Sequence, residues 1–359
     1  MNITLKIKLE PTEEQKIFLL QTLKETNDVC NLISDFAWGD KIFNKFKLHY
    51  QLYHKLKNST DLSSQMLVRC FQKVSSSYKV DKKRKRIFKE YGSIAYDSRI
   101  LTYNLHNNII SIWCIGGRQK IKFVTHNQEY LKYIKGEGDL VYKKGKFYIY
   151  QTINVPEKKL IINNDYLGID MGITDIIVTS DNLHYSSDVL NEYREKRQRI
   201  RSSLQSKGTK GCKKLLKQLS GKERTHSSII NHTISKQLVN NAIETKRNIV
   251  LEDLKGIRFN NKRNSKKFRI KLGKWNFSQL RQYIEYKSKI NGVQCMVVQP
   301  NYTSQTCNCC KHIGKRNGKE FKCENCGLTI DADYNAALNI SLLGGAINRP
   351  EQSTMYCCI

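Results

Sequence analysis

Apolar and polar positions alternate cleanly at the head of the chain. Ile3, Leu5, Ile7 and Leu9 fall on one side, the pattern of a half-buried strand, and Pro11 ends it. Thr12, with Gln15 three residues on, has the signature of a capping box, which predicts a helix carrying Leu20 and Leu23 towards Trp38. A second helical period follows Ser63, with Leu67, Cys70, Phe71, Val74 and Tyr78 on one face. From about Tyr96 to Val155 the period shortens to that of strands. IISIWCI and KFYIYQTINV are rich in Ile, Tyr and Val, and HNN, GG and KG turns break the region. Strand, helices, then strands predicts a small β-barrel with a helical module inserted into it.

From Tyr166 onward strands and helices alternate. YLGIDMGITDIIVTS reads as two strands turning near Gly172, and residues 187–246 read as a long, basic helical pair. NIVLEDL is a short buried strand, FSQLRQYIEYKSKI a helix with Leu280, Tyr283 and Ile284 on one side, and VQCMVVQP another strand. A second domain is expected to begin near residue 160.

Charge narrows the partner. The 359 residues carry 62 Lys+Arg against 32 Asp+Glu, a net +30. A compact chain with that surplus repels itself unless a polyanion neutralises it, so nucleic acid is the expected partner and an anionic membrane surface the weaker rival. No run of 18 apolar residues exists to span a bilayer, and MNITLKIKLE has no signal-peptide character. The expectation is a cytoplasmic protein, nucleoid-associated in a bacterium, that does not engage membranes. Residues 79–89 hold seven basic residues and one acid, Asp81, and read as a solvated linker or arm. Lys82, Lys83, Arg84, Lys85 and Arg86 are candidate phosphate contacts there. Residues 258–274 hold eight basic residues and no acid, with Arg258, Lys262, Arg263, Lys266 and Lys267 as candidates, a reading compatible with a plain surface loop. Tyr302 is a candidate for base stacking, whereas Trp275 and Phe277 are expected in the core.

Three acids stand among apolar neighbours, where a solvated charge is out of place. Asp170 follows Leu167-Gly168-Ile169, Glu252 follows Ile249-Val250-Leu251, and Asp333 sits in Asp331-Ala332-Asp333 at the start of a predicted helix. Hydrolysis of a phosphodiester needs a nucleophilic water and a stabilised leaving oxygen. Two Mg2+ ions about 3.5–4 Å apart provide both, and such hard cations take carboxylate oxygens. Singly, Asp170 can start a turn, Glu252 can be a salt-bridged strand end, and Asp331 or Asp333 can be an N-cap. As an ordered set within alternating strands and helices they favour metal, with Asp331 left as the cap.

Cys307-x-x-Cys310, twelve residues, then Cys323-x-x-Cys326 places four thiols at the spacing of two zinc knuckles, with Gly327 for the tight turn of the second. The intervening KHIGKRNGKEFK is too short and polar for a core of its own, so one Zn2+ is expected to hold it together. A disulfide pair or inert thiols is the alternative. Four protein thiolates leave no open position, so the site reads as structural. Cys309 adjoins Cys310 but lacks the two-residue gap, and His312 reads as a loop histidine.

GIDMGITD, VLEDLKGI, YTSQTC with its two CxxC pairs, and DADYNAALNI resemble the three RuvC motifs and zinc ribbon of the TnpB/OrfB family of insertion-sequence proteins. That family is related to Fanzor proteins and compact type V CRISPR nucleases. KIKLEPTEEQ and SQMLVRCFQKVSSSYK are similar to its N-terminal part. The resemblance implies an RNA-guided DNA endonuclease of a transposable element. Its guide RNA, from the element's end, pairs with double-stranded target DNA while the protein reads a short adjacent motif. It implies Asp170, Glu252 and Asp333 as catalytic Mg2+ ligands, Cys307, Cys310, Cys323 and Cys326 as Zn2+ ligands, and a monomer bound to RNA. It also implies a multidomain α+β fold. Residues 1–10 and 91–160 would form a wedge-like β-barrel around a helical recognition module at 11–90. A RuvC/RNase H-like α/β domain would follow at 161–300 and 329–345, interrupted by a zinc ribbon at 301–328 and ending in a tail at 346–359. The competing readings are a transposase that joins element ends by strand transfer, since fold alone does not separate the two chemistries, and a non-catalytic zinc-ribbon regulator that binds DNA.

Overall fold

The alternating head of the chain is strand β1 (Asn2–Glu10), with Leu5, Ile7 and Leu9 buried. It belongs to the first of two units in the computed structural model, which describes residues 1–161, 163–254, 275–299 and 302–348. The units are Met1–Pro156 and the chain from Glu157 onward.

In the first unit the capping box forms as expected. The Thr12 hydroxyl accepts from the Gln15 amide at 3.3 Å, the Gln15 side chain accepts from the Thr12 amide at 3.1 Å, and α1 runs Glu13–Gly39. Helix α3 (Ser64–Val80) buries Leu67, Cys70, Phe71, Val74 and Tyr78, the stripe read from the sequence. Between them lies α2 (Lys45–Ser59), which the sequence reading did not anticipate. It buries only Leu48 and Leu56, too thin a stripe to register as a period, and it is started by Asn44 accepting from the Phe46 and Lys47 amides.

The basic stretch after α3 is largely exposed, as expected of a solvated linker or arm, but its backbone is tethered to α1. Asn31 accepts from the Phe88 amide at 2.7 Å and donates to its carbonyl at 3.0 Å. Ser34 donates to the Arg86 carbonyl at 2.6 Å, and Asn27 to that of Gly92 at 2.9 Å. Asn27, Asn31 and Ser34 fall four and three apart on α1, so they form one polar stripe that holds an irregular backbone. Lys82, Lys83 and Arg84 remain exposed, while Lys85 pairs with Asp35 at 2.7 Å and Arg86 with Asp81 at 3.4 Å.

Strands β2 (Ile94–Tyr96), β3 (Leu101–Asn104), β4 (Ile109–Cys114), β5 (Gly117–Val124), β6 (Ile134–Lys143) and β7 (Lys146–Asn154) join β1 in one antiparallel sheet. The order is β2-β6-β7-β1-β5-β4-β3, so the first strand sits in the middle. The two ends of the sheet approach each other: the Tyr96 hydroxyl donates to the Trp113 carbonyl at 3.0 Å, and that of Tyr103 to the Gln151 side chain at 2.7 Å. The result is a near-closed barrel.

The second unit is built on five strands in the order β10-β9-β8-β11-β12. These are β8 (Tyr166–Asp170), β9 (Asp175–Thr179), β10 (His184–Ser186), β11 (Asn248–Glu252) and β12 (Cys295–Val298). Strands β8, β11 and β12 are parallel; β9 and β10 run antiparallel to their neighbours. The basic region expected as a helical pair is three helices, α4 (Asp188–Lys207), α5 (Lys210–Leu219) and α6 (Lys222–Glu244). Gly208 and Gly221, at φ of +62° and +83°, make the two breaks. Helix α7 (Phe277–Asn291) follows β11 in the described residues, and α8 (Ala332–Asn348) comes last. A small sheet of β13 (Lys315–Asn317), β14 (Glu320–Lys322) and β15 (Thr329–Asp331) precedes α8. No helix among the described residues is long and apolar enough to cross a membrane.

Candidate active site and thiolate cluster

Side chains alternate faces along a strand, and here that alternation sorts acid from core. Leu167 and Ile169 of β8, with Ile249 and Leu251 of β11, join a core with Leu238, Val239 and Ala242 of α6 and Leu280 and Ile284 of α7. Tyr166, Gly168 and Asp170 therefore face the other way, as do Val250 and Glu252, and that face carries α8: Tyr166, Val250 and Val298 pack with Ile340. Gly168 pairs with Val250 and Ile169 with Leu251, so Asp170 and Glu252 lie at the same level on neighbouring parallel strands.

Helix α8 supplies the third acid by a match of spacings. Four helical residues rise about 6 Å and two strand residues about 6.6 Å. Residues Ser341, Ala337 and Asp333 thus step along β8 in time with Tyr166, Gly168 and Asp170. The Ser341 hydroxyl donates to the Tyr166 carbonyl at 2.6 Å. At the middle step there is no room: a Cβ on Gly168 would lie 2.1 Å from the Ala337 carbonyl oxygen. At the last step Asp333 comes near enough for its charge to be felt at Asp170. Gly168→Ala is accordingly expected to cost at least about 1–3 kcal/mol through overpacking. A melting curve equal to that of wild type would contradict this.

Burial raises the Asp170 carboxyl well above its ordinary value, and the charges of Glu252 and Asp333 raise it further, while Arg316 opposes them. Burial also raises Glu252, against hydrogen bonding from Thr303 and the charge of Arg316. Glu252 and Asp333 are only 6% and 8% exposed. The counter-charges come from the β13–β14 hairpin. Arg316 donates to Asp333 at 2.7 Å, and Lys319, in the turn, donates to Asp175 at 2.6 Å. Asp331 is the cap it was expected to be, accepting from the Asp333 and Tyr334 amides at 2.9 Å each.

The three carboxylates do not close into a cage for one ion. Among the described residues, the four cysteines alone bring three or more candidate ligand atoms within 4.8 Å of one another.

The cysteines do close. Sγ of Cys307 lies 3.7 Å from that of Cys326, and Sγ of Cys310 lies 3.4 Å from that of Cys323. Tetrahedral zinc with bonds of about 2.3 Å sets sulfurs about 3.8 Å apart, so the donor set fits that ion. The two knuckles repeat one geometry. The amides of Cys307 and Cys323 donate to the carbonyls of His312 and Leu328 at 2.8 Å, and those of Lys311 and Gly327 return to the two cysteines at 3.1 Å. Lys311 takes a left-handed φ of +65° where the second knuckle has Gly327 at +74°. The Asn325 side chain and the His312 amide pull the Cys310 thiol down to about 5, while, against the Leu328 amide, hydrogen bonds from the neighbouring thiols push Cys326 up to about 12, so the cluster shares its protons unevenly. Phe321 packs against Cys307, Cys323 and Ala332 as the ribbon's own small core. Cys309 is exposed, outside the four.

Of the other candidates, Tyr302 is exposed while Trp275 and Phe277 are buried against each other, as expected. Arg258, Lys262, Arg263, Lys266, Lys267, Cys357 and Cys358 lie outside the described residues. Sequence reasoning missed Thr303, Arg316, Lys319, Asn335 and Asn339. The last two left a signal: amides four apart in the apolar run NAALN form a buried polar stripe.

Similarity follows the same residues. The family model for the Cas12f1-like TNB domain matches residues 277–340, which hold the ribbon and Asp333. The TnpB-like protein MJ0751 of Methanocaldococcus jannaschii is 34% identical over 208 residues, 57% of this chain and 73% of that protein. The CRISPR-associated endodeoxyribonuclease Cas12f1 of Sulfoacidibacillus thermotolerans is 30% identical, over 56% of this chain and 51% of its own length. A putative RNA-guided DNA endonuclease of Escherichia coli, InsQ, is 28% identical over 56% and 55%. This chain thus spans about half of the last two. With 34% of the aligned positions identical across 73% of the archaeal protein, the chain belongs to the TnpB family.

Proposed function

We propose that this protein is an RNA-guided DNA endonuclease of a transposable element, with a RuvC/RNase H-like core in its second unit. One observation carries the reading: three acids distant in sequence are gathered at one face of a sheet, where burial opposes the ionisation of Asp170 and Glu252, and the charges of Glu252 and Asp333 oppose that of Asp170 further. Such an arrangement destabilises a fold and marks a functional site. A DNA-binding regulator has no use for it. The endonuclease names of the relatives from S. thermotolerans and E. coli support the same reading.

On this reading Asp170, Glu252 and Asp333 hold two Mg2+ ions, which when bound activate water and stabilise the leaving oxygen. The chain's own residues do the positioning. Strands β8 and β11 present two carboxylates side by side, α8 presents the third, and Arg316 balances their charge. The four thiolates hold zinc as a structural staple, and the net charge of +30 meets guide RNA and double-stranded DNA. Exposed Lys82, Lys83 and Arg84 are phosphate contacts. Residues 1–10 and 91–160 serve as the wedge, 11–90 as the recognition module, 161–300 and 329–345 as the nuclease domain and 301–328 as the ribbon.

The purified full-length protein is expected to bring down a discrete RNA. Sequencing that RNA, then digesting a plasmid library randomised beside a matching target, should give cleavage that needs both RNA and Mg2+. Strand transfer of element ends without RNA would replace the endonuclease with a transposase.

A further inference from the structure

An unbroken chain of hydrogen bonds runs from one candidate metal carboxylate, through the ribbon's root, to the helix that carries another. It begins at Glu252, whose Oε1 accepts from the Thr303 hydroxyl. Both side chains are buried, Thr303 at 5% exposure. The Thr303 carbonyl accepts from the Asn339 side-chain amide at 2.9 Å, and the same nitrogen donates to the Thr306 carbonyl at 2.7 Å. One turn earlier on α8, Asn335 donates to the Thr306 carbonyl at 2.8 Å and accepts from the Asn308 amide at 3.0 Å. Two residues before Asn335 stands Asp333. The loop so held is bent tightly, with the Gln305 and Thr306 amides both donating to the carbonyl of Tyr302, itself at a left-handed φ of +59°. A bulky residue in that region costs energy and persists only where its surroundings impose it.

We propose that Thr303 is a positioning residue for Glu252: its hydroxyl fixes the carboxylate's rotamer so that the free oxygen faces Asp170 and Asp333. Asn335 and Asn339 fix Thr303 relative to α8. The proposal rests on the reading of Glu252 as a metal-binding carboxylate. A buried glutamate without this partner has several rotamers to choose among and must be ordered when a cation arrives. With the partner, that ordering is already done.

The test is Mn2+ binding to the full-length protein prepared with one equivalent of zinc, read by calorimetry without nucleic acid. Thr303→Val and Thr303→Ala remove the hydroxyl without and with a change of volume, and Thr303→Ser keeps it. The first two are expected to bind Mn2+ about 10- to 100-fold more weakly, the usual effect of losing a partner that orients a ligand. Thr303→Ser should bind as wild type does, with zinc content equal in all. Wild-type affinity in both hydroxyl-free variants would overturn the proposal, as would a loss in Thr303→Ser equal to that in Thr303→Val. Glu252→Gln separates the two levels of inference. If it leaves Mn2+ binding intact, the metal-site reading itself fails; if it abolishes binding while Thr303→Val does not, only the role of Thr303 fails.

Discussion

Asp170→Ala is expected to abolish DNA cleavage, by on the order of 10^3-fold or more, while leaving RNA and DNA binding near wild type. The side chain ends β8 beside Glu252 at the end of β11, within reach of the charge of Asp333 on α8, and on the proposed function its loss removes one of three ligand groups. At about 1.4 kcal/mol per tenfold, losing several kcal/mol of metal-dependent stabilisation gives that factor. The same substitution removes a buried group that repels its neighbours, so the variant should melt no lower than the parent. Cleavage assays on a matched target, with gel-shift binding and thermal denaturation alongside, test all three points. Undiminished cutting would refute the assignment, and lost binding would place Asp170 in the nucleic-acid interface.

Cys323→Ser should act from a distance. Cys323 is buried in the ribbon's core beside Phe321, and a structural zinc site contributes about 10–16 kcal/mol to folding its own small module. The variant should lose its equivalent of zinc, and amides in residues 302–331 should exchange rapidly while those of β8, β11 and α7 stay protected. Thr303 and Arg316 lie in that module, so Glu252 and Asp333 lose their hydrogen-bond and charge partners together. Cleavage should fall although no carboxylate has changed. Elemental analysis and hydrogen exchange decide this; full zinc content with native protection would show that the knuckles need only three thiols.

Much of this was readable from the chain because it rests on short periods. The capping box at Thr12, the stripe on α3 and the acids at the ends of apolar strands or the start of a helix each declare themselves within about a dozen residues. What stayed hidden depends on partners remote in sequence. The hydroxyl of Thr303 has no meaning until β11 is beside it, and Arg316 is one basic residue among many until the hairpin folds over Asp333. Helix α2 was missed because two buried leucines in fifteen residues are not a pattern. The tethering of the basic stretch after α3 stayed hidden because its anchors, Asn27, Asn31 and Ser34, lie on another helix. Gly168 was read as a neighbour of the acid; its own role, admitting α8 to van der Waals distance, needs the helix to be seen.

The central place of β1 has a consequence for how the first unit is made. Its partners are late: Lys8 pairs with Val124, and Asn2 with Asn154. Closing loops that long is entropically slow, and the strand emerges from the ribosome well before either neighbour exists. Helices α1 and α3 pack on each other through contacts 44 residues apart, far shorter closures than those of β1, and can form while β1 waits, its amides and carbonyls open to any passing edge. Synthesis rate and chaperone supply should therefore govern the yield of this protein more than its final stability does.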